Sequence, residues 1–201
     1  MGDTHAPHSS SPPAFTRLQR LVIVGVEGSG KTTLARQLAR RLGLPHVELD
    51  ALYWDANWTR VSPHLFRERV AQVLDAECWI TDGNYDAVRD LIWGRADTVV
   101  WLDYPLRVVV PRLVWRSVRH SLTGEELWNG NRGTLVRSLL ARDSLLAWVI
   151  KTSSERRKSY LAAQHDPTWA HLDIIRLQTP RMTQVWVSQL PANWQEAVQA
   201  D

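Results

Sequence analysis

Cysteine is all but missing. Cys78 is the one thiol among 201 residues, which excludes an internal disulfide and any multi-cysteine zinc site and makes a reducing, cytoplasmic setting the simplest expectation. Cys78 itself stands beside an apolar run and reads as a small buried residue rather than a nucleophile. Lysine is scarce too, with only Lys31, Lys151 and Lys158. The basic side of a net charge of +3 is therefore almost wholly arginine, the residue suited to bidentate phosphate contact. No block of like charge exceeds Arg156-Arg157-Lys158, so charge gives no argument for nucleic acid as a partner. No run approaches the roughly 18 apolar residues of a membrane-spanning helix, and no membrane partner is expected. Residues 1–16, with Ser9-Ser10-Ser11-Pro12-Pro13, lack the apolar centre of a signal peptide and read as a disordered tail. Met1-Gly2 is followed by Ala6 where a myristoylation signal has Ser or Thr.

What is present is organised around Gly25-Val26-Glu27-Gly28-Ser29-Gly30-Lys31-Thr32-Thr33, which fills the pattern G-x-x-x-x-G-K-[ST]. The apolar run Leu21 to Val24 before it reads as a buried strand, and Leu34, Leu38 and Leu42 after it share one helical face. Strand, glycine loop and helix thus stand in the order a phosphate-binding loop requires. Its glycines let backbone N–H groups close on an anion, and the helix points the positive end of its dipole at the same place. Gly25, Glu27, Gly28, Ser29, Gly30 and Thr33 are expected to cradle the phosphates of ATP. Lys31 is expected at the β- and γ-phosphates, and Thr32 on Mg²⁺.

At 44% hydrophobic residues the chain can build a core, and its length fits a single domain over residues 17–201. Helix one runs from Lys31 to Arg41 and stops at Gly43, with Pro45 beyond. Further strands are expected at His46 to Leu49, Cys78 to Thr81, Thr98 to Leu102 and Asp173 to Leu177. Helices are expected from Pro63 to Ala76, with Leu65, Phe66, Val70, Val73 and Leu74 inward, from Leu106 to Ser121, across Leu135 to Gln164 with one break, and from Met182 to Leu190. A short helical tail follows from Pro191. Residues 123–134 are rich in Gly, Asn and Glu and read as an inserted loop. Strands alternate with helices throughout, which predicts a doubly wound α/β fold whose ligands gather at the carboxyl ends of the strands. Asp50, Asp82 and Asp103 each stand at such an end.

Phosphoryl transfer needs a donor cradle, a metal, positive charge on the migrating group and a positioned acceptor. Asp82 and Asp103 both qualify by position to hold Mg²⁺. Arg112, Arg116 and Arg119 recur along one helical face and Arg132 follows in the loop; they read as phosphate contacts or as a solvated face. Asp50 reads as the partner of an acceptor hydroxyl or as a turn aspartate. Tyr53, Trp54 and Trp58 could form a stacking wall for a ring or the core of a small flap, while Trp101, Trp115 and Trp148 read as packing residues.

Together with the phosphate loop, the segments Leu49-Asp50-Ala51-Leu52-Tyr53-Trp54, Trp79-Ile80-Thr81-Asp82-Gly83-Asn84-Tyr85, Trp101-Leu102-Asp103-Tyr104-Pro105 and Glu126-Leu127-Trp128-Asn129-Gly130-Asn131-Arg132 resemble the adenylate-kinase-like topology modulation proteins. Behind these stands the wider group of nucleoside monophosphate and small-molecule kinases such as shikimate kinase. The resemblance implies a three-layer fold on a five-stranded parallel sheet of order 2-3-1-4-5, with an acceptor-binding flap and a lid at about 123–134. It implies Asp82 rather than Asp103 as the residue organising Mg²⁺, and Arg112 and Arg116 as contacts to donor base and phosphate. Arg132 and one of Arg156 or Arg157 would be lid arginines, and Pro180 would lie in the loop over the donor adenine. The arginine with which adenylate kinase grips its acceptor has no counterpart in Asn84-Tyr85-Asp86, and the lid has no zinc cysteines.

These features converge on an Mg²⁺- and ATP-dependent kinase for a small molecule or nucleotide, with Lys31, Arg116 and Arg132 on the migrating phosphoryl group, Arg112 on the donor nucleotide and Asp50 on the acceptor hydroxyl. The rival readings are an ATP-dependent regulator linked to DNA topology and an NTPase without an acceptor.

Overall fold

The computed structural model describes residues 18–123, 128–130 and 145–191. Strand β1 (Arg20–Gly25) is buried along all but its first residue and lies at the centre of a parallel sheet. Around it are β2 (His46–Glu48), β5 (Trp79–Asp82), β6 (Thr98–Leu102) and β7 (Asp173–Leu177), in the spatial order β2-β5-β1-β6-β7. Counting only these five strands along the chain, the order is 2-3-1-4-5, as the resemblance implied. Every residue of β5 and β6 is buried, as in a parallel sheet covered on both faces.

The two faces follow from the period of two along β1. Leu21 and Ile23 join a core with Leu34, Leu38, Val109, Leu113 and Trp186, contributed by helices α1 (Lys31–Leu42), α5 (Leu106–Thr123) and α7 (Pro180–Gln189). Val22 and Val24 face the opposite layer with Phe66, Val70, Ile92, Trp93 and Tyr160, from α3 (Pro63–Leu74), α4 (Arg89–Arg95) and α6 (Leu145–Ala163). Local chemistry sets the helix limits. Gly43 ends α1 in the left-handed conformation with its N–H on Ala39 O, and Ser62 caps α3 by accepting from the Leu65 N–H ahead of Pro63 at the first helical position.

The structure corrects several details. β2 ends at Glu48, and Leu49 opens a short helix, α2 (Leu49–Tyr53), so Asp50 lies in the first turn of a helix rather than at a strand end. A small hairpin with strands of two residues each, β3 (Trp54–Asp55) and β4 (Thr59–Arg60), follows; Asn57 and Trp58 in its loop both have left-handed backbone. Helix α4 fills the stretch between β5 and β6 and carries the buried Ile92 and Trp93. Leu65 is 37% exposed, because the inward stripe of α3 is Phe66, Val70 and Leu74 at intervals of four and Leu65 lies one step round from it. Trp115 is 70% exposed: Val109 and Leu113 bury the inner face of α5, and two residues beyond Leu113 the helix has turned to the outside. Trp101 is buried as expected. The side chain of Trp148, the tail from 192, residues 1–17, the segment 135–144 and most of the 123–134 insertion lie outside the described residues. No helix among the described residues is long and apolar enough to cross a membrane.

Candidate functional site

The phosphate loop leaves β1 through Gly25 at φ +146°, where a Cβ would stand 2.7 Å from Leu102 O. Gly28, at φ +83°, would place one 3.0 Å from Val109 O. Both positions therefore exclude side chains, by backbone angle and by close approach. The loop closes through Ser29 N–H donating to Val26 O at 3.1 Å, and α1 begins with Leu34 N–H donating to Gly30 O at 2.9 Å. A Cβ at Gly30 would meet only the Arg112 guanidinium, at 3.8 Å, so the mouth of the loop faces open space.

That space is a cavity of about 400 Å³ bounded by the loop, Tyr104, Arg112, Arg116, Pro180 and Gln184. Lys31 Nζ lies inside the loop, donating to Gly25 O at 2.8 Å and Val26 O at 3.3 Å. Burial pushes its pKa down, and the charges of Glu27, Asp82 and Asp50 oppose that shift. Arg112 donates to Ser29 O at 3.2 Å and lies over the Tyr104 ring, 5.6 Å from its centroid. Arg116 lines the same cavity; desolvation pulls its pKa down while Glu27 and Asp50 hold it up. Glu27, inside the loop, has Arg156 at 3.9 Å, and its Oε2 and Ser29 Oγ are buried without a protein partner. Arg132 lies outside the described residues.

Of the two strand-end carboxylates, Asp82 lies against the phosphate loop and Asp103 does not. Thr32 Oγ1 donates to Asp82 Oδ2 at 2.6 Å, and His46 Nε2 is 2.7 Å from Asp82 Oδ1. Asp103 is instead tied to Arg176 at 2.5 and 2.9 Å and to Arg157 at 3.3 Å. With its proton on Asp82, the Thr32 hydroxyl turns its lone pairs to the cavity. That suits Mg²⁺, which takes oxygen ligands, keeps several waters and leans on substrate phosphates rather than on a protein cage. No cluster of three or more His, Cys, Asp or Glu ligands occurs among the described residues.

Asp50 lies in α2, close enough to Lys31, Asp82 and Glu27 for its charge to couple to all three. Tyr85 donates its hydroxyl proton to Asp50 Oδ1. Desolvation raises the Asp50 pKa above the ordinary carboxylate value, and the Tyr85 hydrogen bond and Lys31 work against that. Burial and the Asp50 charge raise the Tyr85 pKa in turn, so the phenol stays protonated. The aromatics divide. Tyr53 packs against Phe66 and Tyr85, ring centroids 5.1 and 4.8 Å away, as part of the core, while Trp54 and Trp58 meet edge-on at 5.6 Å nearer the surface. Asn129, from the inserted segment, donates to Ala51 O at 3.2 Å and Trp54 O at 2.5 Å, which places the 128–130 turn on this flap.

His46, Asn84 and Tyr85 are site residues that the sequence did not single out. Asn84 grips both polar groups of Gly25: its Oδ1 accepts from the Gly25 N–H at 3.2 Å and its Nδ2 donates to Gly25 O at 2.6 Å. Tyr160, from α6, donates to the same Oδ1 at 3.0 Å. The side chain therefore holds the first turn of the phosphate loop to the end of β5. Asn84→Ala leaves the Gly25 N–H without its partner, which costs about 1–3 kcal/mol. A lower urea midpoint together with weaker nucleotide binding is the expected result; unchanged nucleotide affinity would show that Gly25 needs no such clamp.

Residues 21–81 match the model of the ATPase family associated with various cellular activities (AAA), a minority of the chain that runs from β1 through the phosphate loop to β5. The chain is similar to a shikimate kinase of Ruegeria pomeroyi, 30% identical over 135 residues, which are 59% of this chain and 66% of the relative. It is also similar to one of Gloeobacter violaceus, 33% identical over 108 residues, which are 46% of this chain and 60% of the relative. The chain thus spans less than two thirds of the length of these curated relatives. A solved shikimate kinase from Acinetobacter baumannii, in complex with shikimate, has a TM-score of 0.51 at 20% identity, with 93% of this chain and 94% of that chain covered. At that identity the likeness is one of fold: the chain has the α/β fold of the P-loop kinases.

Proposed function

We propose that the protein is a kinase that moves the γ-phosphoryl group of ATP to a hydroxyl of a small molecule or nucleotide. The observation that carries this is the convergence of Lys31, Thr32, Arg112 and Arg116 on one cavity, with Thr32 bonded to Asp82 and the desolvated Asp50 coupled to Lys31. A cavity walled by a phosphate loop and two arginines fits a polyphosphate donor. Pro180 and Gln184 line the same cavity, and we assign them to the side of the adenine.

Lys31 neutralises charge on the β- and γ-phosphates, Arg116 takes the outer oxygens, Arg112 packs on the donor base, and Arg132 is assigned to the lid. Thr32 and, through water, Asp82 would hold Mg²⁺, which supplies charge neutralisation across the phosphates. Asp50 accepts the proton of the acceptor hydroxyl as that oxygen bonds to phosphorus and the bond to the ADP oxygen breaks. The acceptor is a hydroxylated small molecule, and the shikimate kinase relatives put hydroxy acids first in the panel. Within the P-loop kinases we place the chain beside the topology modulation proteins on the motifs around Asp50, Asp82 and Asn129, in a cytoplasmic setting.

The test is ATP turnover by purified protein against nucleosides, nucleotides and hydroxylated acids, with ADP and phosphorylated product followed together. One acceptor is expected to raise both in equal amounts. ADP that appears only with free phosphate sinks the kinase reading in favour of an NTPase.

A further inference from the structure

Asp82 is 5% exposed and each of its oxygens has its own partner. Thr32 belongs to the phosphate loop; His46 belongs to β2, on the opposite side of β5. The sheet register explains the meeting. His46 pairs with Ile80 and Glu48 with Asp82, so His46, Ile80 and Asp82 point to the same face, the one that α1 and Thr32 cover. Although β2 is an edge strand of three residues, the His46 side chain is only 10% exposed. The ring nitrogen adds a bond of 2.7 Å to Asp82 Oδ1, which fixes the rotation of the carboxylate and leaves Oδ2 directed at Thr32.

We infer that His46 is a positioning residue that orients Asp82 for the divalent cation accompanying the nucleotide. The inference rests on the metal and nucleotide reading proposed above. A carboxylate bound by Thr32 alone is free to swing about its terminal torsion, and the orientation needed for metal-bound water is then lost part of the time. Outer partners of this kind typically alter metal affinity by about 10- to 100-fold.

The experiment measures Mn²⁺ binding, by the loss of the free-ion paramagnetic resonance signal, with ADP present, and nucleotide binding in excess EDTA. Wild type, His46→Leu, which keeps the volume without a donor, and His46→Gln, which keeps an N–H donor, are compared. His46→Leu is expected to bind Mn²⁺ about tenfold or more weakly, with His46→Gln recovering most of the loss and metal-free nucleotide affinity unchanged in both. Mn²⁺ affinity within twofold of wild type in His46→Leu overturns the inference, as does an equal fall in metal-free nucleotide binding. If His46→Leu does not fold, His46→Asn, with its shorter amide, takes its place under the same criterion. Wild-type protein that binds ADP but no Mn²⁺ overturns the metal reading itself, an outcome separate from indifference of the His46 variants.

Discussion

Lys31→Ala is expected to lower ATP turnover by at least ~10²–10³-fold while leaving the thermal midpoint unchanged or slightly raised. The two halves of that result have separate causes. Lys31 Nζ is the ammonium inside the loop, and its two present acceptors, Gly25 O and Val26 O, have other donors in Asn84 Nδ2 and the Ser29 N–H. Removing the lysine therefore orphans neither carbonyl. It also removes a cation whose charged form burial disfavours, so the fold loses little. The phosphates, by contrast, lose the one point charge set among the loop N–H groups. Lys31→Arg is expected to rescue poorly, since a planar guanidinium replaces a compact ammonium. Calorimetric ATP binding, turnover and a thermal melt on the same preparations decide the matter. Turnover within tenfold of wild type in Lys31→Ala would remove the phosphate loop from the chemistry.

The ease with which Lys31 is found, and the difficulty of finding His46, have one physical origin. The phosphate loop is specified by backbone angles and close approaches within nine consecutive residues, so its glycines and its lysine are written side by side. The sheet strands were legible for a similar reason, since burial on both faces makes β5 and β6 continuous apolar runs. The strand order came from the resemblance rather than from any local pattern. His46 meets Asp82 across 36 positions and Asn84 meets Gly25 across 59; a lone His in a three-residue edge strand and an Asn after a glycine carry no local mark of those contacts. Leu65 and Trp115 show the limit of residue type alone. Each is apolar in an amphipathic helix, yet the helical phase fixed by Phe66 and Val70, or by Val109 and Leu113, turns them outward. Asp103 is the opposite case: its position matched that of Asp82, and only Arg176 from β7 and Arg157 from α6 show that its oxygens are engaged elsewhere.

Asp50→Asn is expected to reduce phosphoryl transfer by about 10²–10⁴-fold with ATP affinity preserved, and to raise the thermal midpoint at neutral pH. The first effect follows because an amide cannot take the acceptor proton, while the donor cavity is built by residues other than Asp50. The second follows from linkage. Desolvation raises the Asp50 pKa in the folded protein, so the native state binds this proton more tightly than the unfolded chain does. Its contribution to stability is complete below the unfolded pKa and is lost as pH rises through the folded value. At neutral pH the charged carboxylate is a net burden that asparagine lacks, and the two melting temperatures should converge as the pH is lowered into the carboxylate range. Activity runs the other way, since the base must be ionised: turnover should fall on acidification with a midpoint above the ordinary carboxylate value. Tyr85 sharpens the test. Its hydrogen bond lowers the Asp50 pKa, so Tyr85→Phe should move the acid limb to higher pH without abolishing turnover at its plateau. If Asp50→Asn keeps turnover within tenfold of wild type, or if Tyr85→Phe leaves the acid limb where it was, Asp50 is not the base, and its stability cost would need another explanation.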